Sequence, residues 1–123
     1  MEDFVNFELA QKLKEKGFSL EKTEIYGKFD SDGLFHSQLY FNYFETMDCD
    51  ETIAPTISQV LKWLRKEKKI HIGFGYSPRK KWRYVVMYMD DRFYNRPTLA
   101  VDGFLKLKQA ALAGIEYTIN NLI

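Results

Sequence analysis

The sequence predicts one α+β domain over residues 1–123, with helices packed on an antiparallel sheet in the order α-β-β-α-β-β-α. A chain of 123 residues has the length of one domain, and its 46% hydrophobic residues are enough for a core. Segments with helical apolar spacing alternate with segments of period two, which is typical of strands. Short turn sequences separate the predicted strands, and this favours antiparallel hairpins.

The first helix is predicted to begin at Asp3 or Asn6 and to end at Lys16. Gly17 follows it, and glycine suits the left-handed backbone position that commonly terminates a helix. The helix has a narrow apolar stripe formed by Leu9, Ala10 and Leu13.

Two strands are predicted next, over residues 23–29 and 34–43, because both segments are rich in aromatic and β-branched residues. Asp30–Gly33 reads DSDG, a turn sequence in which Gly33 is free to take a positive φ. Residues 45–54 are strongly acidic, and we expect them to form a loop.

A second helix is predicted over residues 55–69, with Thr56 and Gln59 as a capping box. Its apolar positions follow the i, i+3, i+4, i+7 rule at Ile57, Val60, Leu61 and Leu64. Trp63 lies beside this stripe and is expected to cover the core. At about 100° per residue, four cations share another face of the helix: Lys62, Arg65, Lys66 and Lys69.

Strands with period two are predicted at residues 70–76 and 82–89. The five residues Ser77–Lys81 between them predict a hairpin loop with an exposed tip. Four cations lie in or beside this loop: Arg79, Lys80, Lys81 and Arg83. The last helix is predicted over residues 99–121, where apolar residues recur on one face.

The net charge of +1 hides a strong asymmetry along the chain. Residues 1–58 carry 5 Lys against 12 Asp and Glu, a net charge of −7. Residues 59–83 carry 9 Lys and Arg against one Glu, a net charge of +8, and residues 84–123 are balanced. The basic segment is either a surface for an anionic partner or a surface that complements the acidic half, within one chain or across a dimer.

No catalytic or metal-binding pattern stands out. His36, His71 and Cys49 are too far apart in sequence to indicate a zinc site, and DSDG lacks the twelfth-position glutamate of a calcium loop. Cys49 lies among acidic residues, which raise a thiol pKa and lower its reactivity. We therefore predict a protein that is not an enzyme, with no metal and no cofactor.

The composition also bears on localisation. The apolar runs are too short to span a bilayer, and the first residues lack the apolar segment of a signal peptide. A single cysteine leaves no internal disulfide, so the cytoplasm is the expected compartment and no membrane partner is expected.

Three short motifs resemble a family of small uncharacterised proteins encoded by bacterial phages and integrated mobile elements. The motifs are Ala54-Pro55-Thr56, Trp63-Leu64-Arg65 and Ile70-His71-Ile72. The flanking segments 8–18 and 110–114, with Trp82 and Tyr84, are also similar. The resemblance implies a bacterial cytoplasm and a phage setting, and it implies no activity or site residue.

Two hypotheses about function remain open at this stage. The first is a small accessory protein that either binds another protein or associates with itself as a homodimer, because the aromatic side chains of the first sheet exceed what a small core needs. These aromatics are Tyr26, Phe29, Phe35, Tyr40, Phe41, Tyr43 and Phe44. The second hypothesis is a nucleic-acid-binding protein that uses the basic helix face 62–69 and the hairpin tip 79–83. The pI of 7.8 and the separation of these two basic groups along the chain weigh against the second.

Overall fold

The computed structural model describes residues 3–20, 25–41, 50–95 and 98–123, and it confirms the α+β prediction. Three helices accompany two antiparallel three-stranded sheets within these residues. We number the elements in chain order: α1 (Phe7–Glu15), β1 (Ile25–Phe29), β2 (Phe35–Phe41), β3 (Thr52–Ala54), α2 (Ile57–Glu67), β4 (Ile70–Tyr76), β5 (Trp82–Tyr88), a 3-10 turn (Asp91–Tyr94), β6 (Leu99–Phe104) and α3 (Leu107–Asn121).

The chain packs as two compact units, residues 1–59 and residues 60–123. The boundary falls in the first turn of α2. The prediction that residues 1–123 form a single domain stays a prediction. None of the described helices is both long enough and apolar enough to cross a membrane.

Helix α1 of the first unit begins and ends where local sequence signals indicate. The side chain of Asn6 accepts a hydrogen bond from Leu9 N at 2.8 Å and caps the first turn. At the other end Gly17 has φ +84°, and Phe18 N donates to Leu13 O at 3.0 Å. This return of the chain satisfies the last carbonyl groups of the helix and buries Phe18 beside it.

The sheet of the first unit has the strand order β2-β1-β3. The turn between β1 and β2 is the predicted one: Gly33 has φ +83°, and Asp30 Oδ1 accepts hydrogen bonds from Asp32 N and Leu34 N. The expectation of a loop over 45–54 was wrong at its end, because residues 52–54 pair with β1 as strand β3. Residues 42–49 lie outside the described part of the chain.

The second unit carries the candidate functional residues on α2, on the meander β4-β5-β6 and on α3. The predicted capping box lies just ahead of it: Gln59 N donates to Thr56 Oγ1 at 3.1 Å, and Thr56 N donates to Gln59 Oε1 at 2.9 Å. Trp63 is buried, as its place beside the apolar stripe predicts.

Helix α3 packs on one face of the second sheet. Gly114 makes the close approach, because a Cβ added there would lie 3.0 Å from Ile72 Cγ2 and 3.1 Å from Tyr84 Cγ. Side chains alternate between faces along a strand, so Ile72 and Tyr84 identify the covered face. The buried core residues on this face and on α3 are Ile70, Ile72, Tyr84, Val86, Tyr88, Ala110, Ala111, Ile115 and Ile119.

The prediction of a helix from residue 99 was wrong for its first part. Residues 99–104 form β6, which pairs with β5 from Val86↔Leu99 to Trp82↔Phe104. The register shifts next to Gly103, whose φ of +106° fits a β-bulge. Helix α3 therefore begins only at Leu107, at the end of the sheet that also carries the β4–β5 loop.

Candidate nucleic-acid interface

The four predicted cations of the second helix are all exposed. Lys62, Arg65 and Lys66 lie on α2, whereas Lys69 lies beyond its end with φ +55°. A left-handed position after a helix usually carries glycine, because a Cβ is disfavoured there. Met89 N donates to Lys69 O at 2.8 Å, so this backbone conformation joins the end of α2 to the end of β5.

An arginine ties the end of α2 to the 3-10 turn. Arg92 Nη2 donates to Lys68 O at 2.8 Å and to Asp90 Oδ2 at 2.9 Å, and its guanidinium lies 4.2 Å from the Tyr88 ring centroid. Hydrogen bonds from the Arg92 side chain and backbone N–H hold the pKa of Asp90 below its usual value. The same side-chain bond raises the pKa of Arg92. Arg92 therefore has a structural role and is not a free cation of the interface.

The hairpin loop forms a tight turn that presents Arg79 and Lys80 to solvent. Ser77 N donates to Lys81 O at 2.8 Å, and Lys80 N donates to Ser77 O at 3.0 Å. The bond between Ser77 and Lys81 encloses the three residues 78–80, and Lys80, with φ +60°, is the left-handed residue of this tight turn. Arg79 and Lys80 are exposed and Lys81 is half-buried.

Arg83 is separated from the other hairpin cations. A Cβ added at Gly75 would lie 2.8 Å from Arg83 Nε, so the arginine side chain extends over Gly75. These two residues are cross-strand partners, and strand alternation puts them on the face opposite to Tyr84 and α3. The predicted hairpin group therefore divides into three loop cations and one cation on the face opposite to α3.

Strand β4 separates the last cation of the helix group, Lys69, from the hairpin group. Ile70 pairs with Tyr88 at one end of the hairpin, and Tyr76 pairs with Trp82 at the other. A seven-residue strand spans about 20 Å, so Lys69 and the loop lie at opposite ends of it. The structure thus places Lys69 and the hairpin tip apart, as the sequence order indicated.

A further pair of lysines, missed by the sequence analysis, lies near the hairpin tip. Phe104 at the end of β6 pairs with Trp82, which directly follows the loop. Lys106 and Lys108 come just after it, at the start of α3, and both are exposed. The prediction of a continuous helix over 99–121 did not indicate that these lysines lie near the hairpin tip. We call Arg79, Lys80, Lys81, Lys106 and Lys108 the basic end.

The first turn of α3 adds no negative charge to the basic end. Lys106 occupies the N-cap position, where an ammonium group has no lone pair with which to accept from a backbone N–H. Gln109 Oε1 accepts from Lys106 N at 3.2 Å, so half of a capping box is present. Among the described residues, no group of three His, Cys, Asp or Glu side chains could hold a metal ion.

No family model matches the chain, and no curated protein or solved structure matches it either. We therefore infer function from the geometry of the second unit and from its charges.

Lys80→Gly is expected to raise the free energy of unfolding by up to about 1 kcal/mol, because glycine adopts a positive φ without a steric penalty. Urea denaturation of the variant and of the wild-type protein measures this difference. Lys81→Gly is the matched control, since Lys81 has no positive φ and gains nothing from glycine. Equal effects of both substitutions would contradict the assignment of strain to Lys80.

Proposed function

We propose that the second unit binds nucleic acid through phosphate contacts made by the basic end. The observation that supports this proposal is the register of β6 on β5, which brings the start of α3 to the hairpin tip. Five cations from two segments then lie at one end of one sheet. Lysine and arginine side chains clustered on one surface supply the electrostatic part of nucleic-acid affinity.

Four of the five charges of the basic end are available to an external anion. Within the described part of the chain, Arg79, Lys80, Lys81 and Lys106 form no ion pair with an acidic residue. Lys80 lies at the tip in a left-handed backbone conformation. This conformation has a steric cost in free energy that a glycine would avoid. A cation kept at such a position is consistent with a binding role. Phosphate contacts of this kind position a nucleic acid without reading its sequence.

Lys80→Glu and Lys106→Glu are each expected to weaken nucleic-acid binding and to flatten its dependence on salt. Loss of one phosphate contact reduces the slope of log K against log salt by about 0.7 to 0.9. Fluorescence anisotropy with labelled single- and double-stranded DNA and RNA, at about 50 and about 200 mM salt, measures both quantities.

Arg83→Glu is the matched control for Lys80→Glu. It makes the same change of charge in the same hairpin, but on the face of the sheet opposite to Tyr84 and α3. We expect it to leave the salt slope unchanged. A slope that falls equally in both variants would show a diffuse effect of net charge, and an absence of binding at low salt would overturn the proposal.

For the cellular setting, we propose a bacterial cytoplasm and an element of phage or mobile-element origin. The three motifs described above support this setting, and the single cysteine is compatible with a reducing compartment.

Binding to a protein partner, or self-association, is a second candidate function for the first unit. Leu34 and Phe35 are exposed at the β1–β2 turn, where Phe35 forms ring contacts with Phe4 and Phe29. Exposed apolar side chains of this kind mark interfaces. The larger aromatic surface that prompted this hypothesis is reduced, because Tyr26 and Phe29 are buried. The side chains at positions 40, 41, 43 and 44 lie outside the described part of the structure.

Sedimentation equilibrium tests self-association directly. A mass that rises with concentration in the wild-type protein but stays monomeric in Leu34→Ser would support self-association. A constant monomer mass of the wild-type protein would exclude a homodimer and leave only an external protein partner for this surface.

A further inference from the structure

Tyr76 lies on the covered face of the second sheet, yet it is 58% exposed. It shares this face with Ile72, since positions i, i+2 and i+4 of a strand point the same way. Ile72 lies against Gly114 of α3 and is only 3% exposed. Helix α3 therefore covers the start of β4 but leaves the ring of Tyr76 open at the end where the hairpin loop begins.

The ring of Tyr76 is held in place by a neighbour. Its centroid lies 5.0 Å from that of Trp82, with 59° between the ring planes, and the two residues are cross-strand partners. Trp82 is half-buried. An aromatic ring fixed by a packed neighbour loses little conformational entropy when it binds a ligand, because few rotamers remain to be lost.

Cations from two segments of the chain adjoin this ring pair. Arg79, Lys80 and Lys81 belong to the loop that joins Tyr76 to Trp82. Lys106 follows Phe104, the partner of Trp82 in β6. The loop and the first turn of α3 contain no acidic residue. An exposed aromatic ring in such surroundings complements a flat apolar group that carries negative charge.

We propose that the Tyr76–Trp82 pair stacks an unpaired base of a single-stranded nucleic acid, while the flanking phosphates contact the basic end. This inference rests on the function proposed above and names its substrate class. Proteins that bind single strands combine a basic surface with aromatic rings on which successive bases stack. The faces of bases inside a duplex are covered by their neighbours, so an open ring has nothing to stack on there except at ends, loops and bulges.

The test compares Tyr76→Leu with Tyr76→Phe in the full-length protein. The probes are oligo(dT) and oligo(rU) of about 15 nucleotides and a mixed-sequence duplex of equal length. Loss of one stacking contact costs about 1 to 3 kcal/mol, so Tyr76→Leu is expected to weaken single-strand binding about 5- to 150-fold. Tyr76→Phe retains the ring and should change affinity less than about twofold, and the salt slope should stay constant in both variants.

Tyr94→Leu is the matched control, because Tyr94 is 85% exposed but follows the opposite end of β5. We expect it to bind the single strands as the wild-type protein does. Tryptophan fluorescence supplies a second readout, which follows the wild-type protein directly. Trp63 is buried, so quenching by the single strand reports mainly on Trp82 and should disappear in Trp82→Phe.

The outcomes separate this inference from the proposed function. Salt-dependent binding that prefers the duplex would overturn the stacking site but would still support the phosphate contacts. The same conclusion would follow if Tyr76→Leu bound the single strands with wild-type affinity and no tryptophan quenching occurred. Absence of salt-dependent binding to any of the probes would overturn the proposed function and the stacking site together.

Discussion

Lys28→Met is expected to lower the free energy of unfolding by about 3 to 5 kcal/mol, which is the cost of removing one member of a buried ion pair. Lys28 Nζ lies 2.6 Å from Glu51 Oε2, and the two side chains are only 13% and 10% exposed. Phe29 and Thr52 lie opposite each other in the pairing of β1 with β3. The residues just before them, Lys28 and Glu51, are therefore brought close together. Lys14 Nζ also donates to the backbone oxygen of Glu51.

Replacing both partners should restore much of the lost stability. In Lys28→Met/Glu51→Leu no charge remains to be desolvated, so we expect the double variant to be more stable than Lys28→Met. Urea denaturation at neutral pH measures both free energies, and the double-mutant cycle gives the coupling energy of the pair.

Lys12→Met is the control for the first prediction. Lys12 pairs with Glu8 at 3.7 Å on the exposed surface of α1, where an ion pair of this spacing contributes about 0.3 to 0.5 kcal/mol. If Lys28→Met costs no more than Lys12→Met, the buried pair does not have the role that its geometry indicates.

Gly114→Leu is expected to lower the free energy of unfolding by about 3 kcal/mol, because there is no room for a side chain between α3 and the second sheet. Even the first added carbon would lie 3.0 Å from Ile72 Cγ2 and 3.1 Å from Tyr84 Cγ. The helix would have to move away from the strands or force both side chains from their rotamers. Either response disturbs the packed core of this unit.

Thermal and urea denaturation measure the effect, with Glu116→Leu as the control. Glu116 is exposed on the same helix, so a leucine there should change the free energy of unfolding by less than about 0.5 kcal/mol. Gly114→Ala should lie between the two, because about 1 kcal/mol of helix propensity offsets the tight contacts. A Gly114→Leu protein as stable as the control would contradict the close approach of α3.

Part of the candidate site could be predicted from the sequence, and part could not. The exposed hairpin tip with Arg79, Lys80 and Lys81 follows from two period-two segments joined by five residues. Lys106 and Lys108 could not be assigned to it, because their position depends on the pairing of β6 with β5. The separation of Arg83 from the tip could be predicted from strand alternation, because alternation places Arg83 on the face opposite to Trp82 and Tyr84.

The sequence by itself determined the elements whose signals are local. The Thr56–Gln59 capping box and the glycine that ends α1 act between residues three to five positions apart, so they operate whatever the rest of the chain does. Only the tertiary structure decided that residues 52–54 and 99–104 are strands. Their conformation depends on hydrogen bonds to partners far along the chain, and a short segment carries little information about a partner that it meets only after folding.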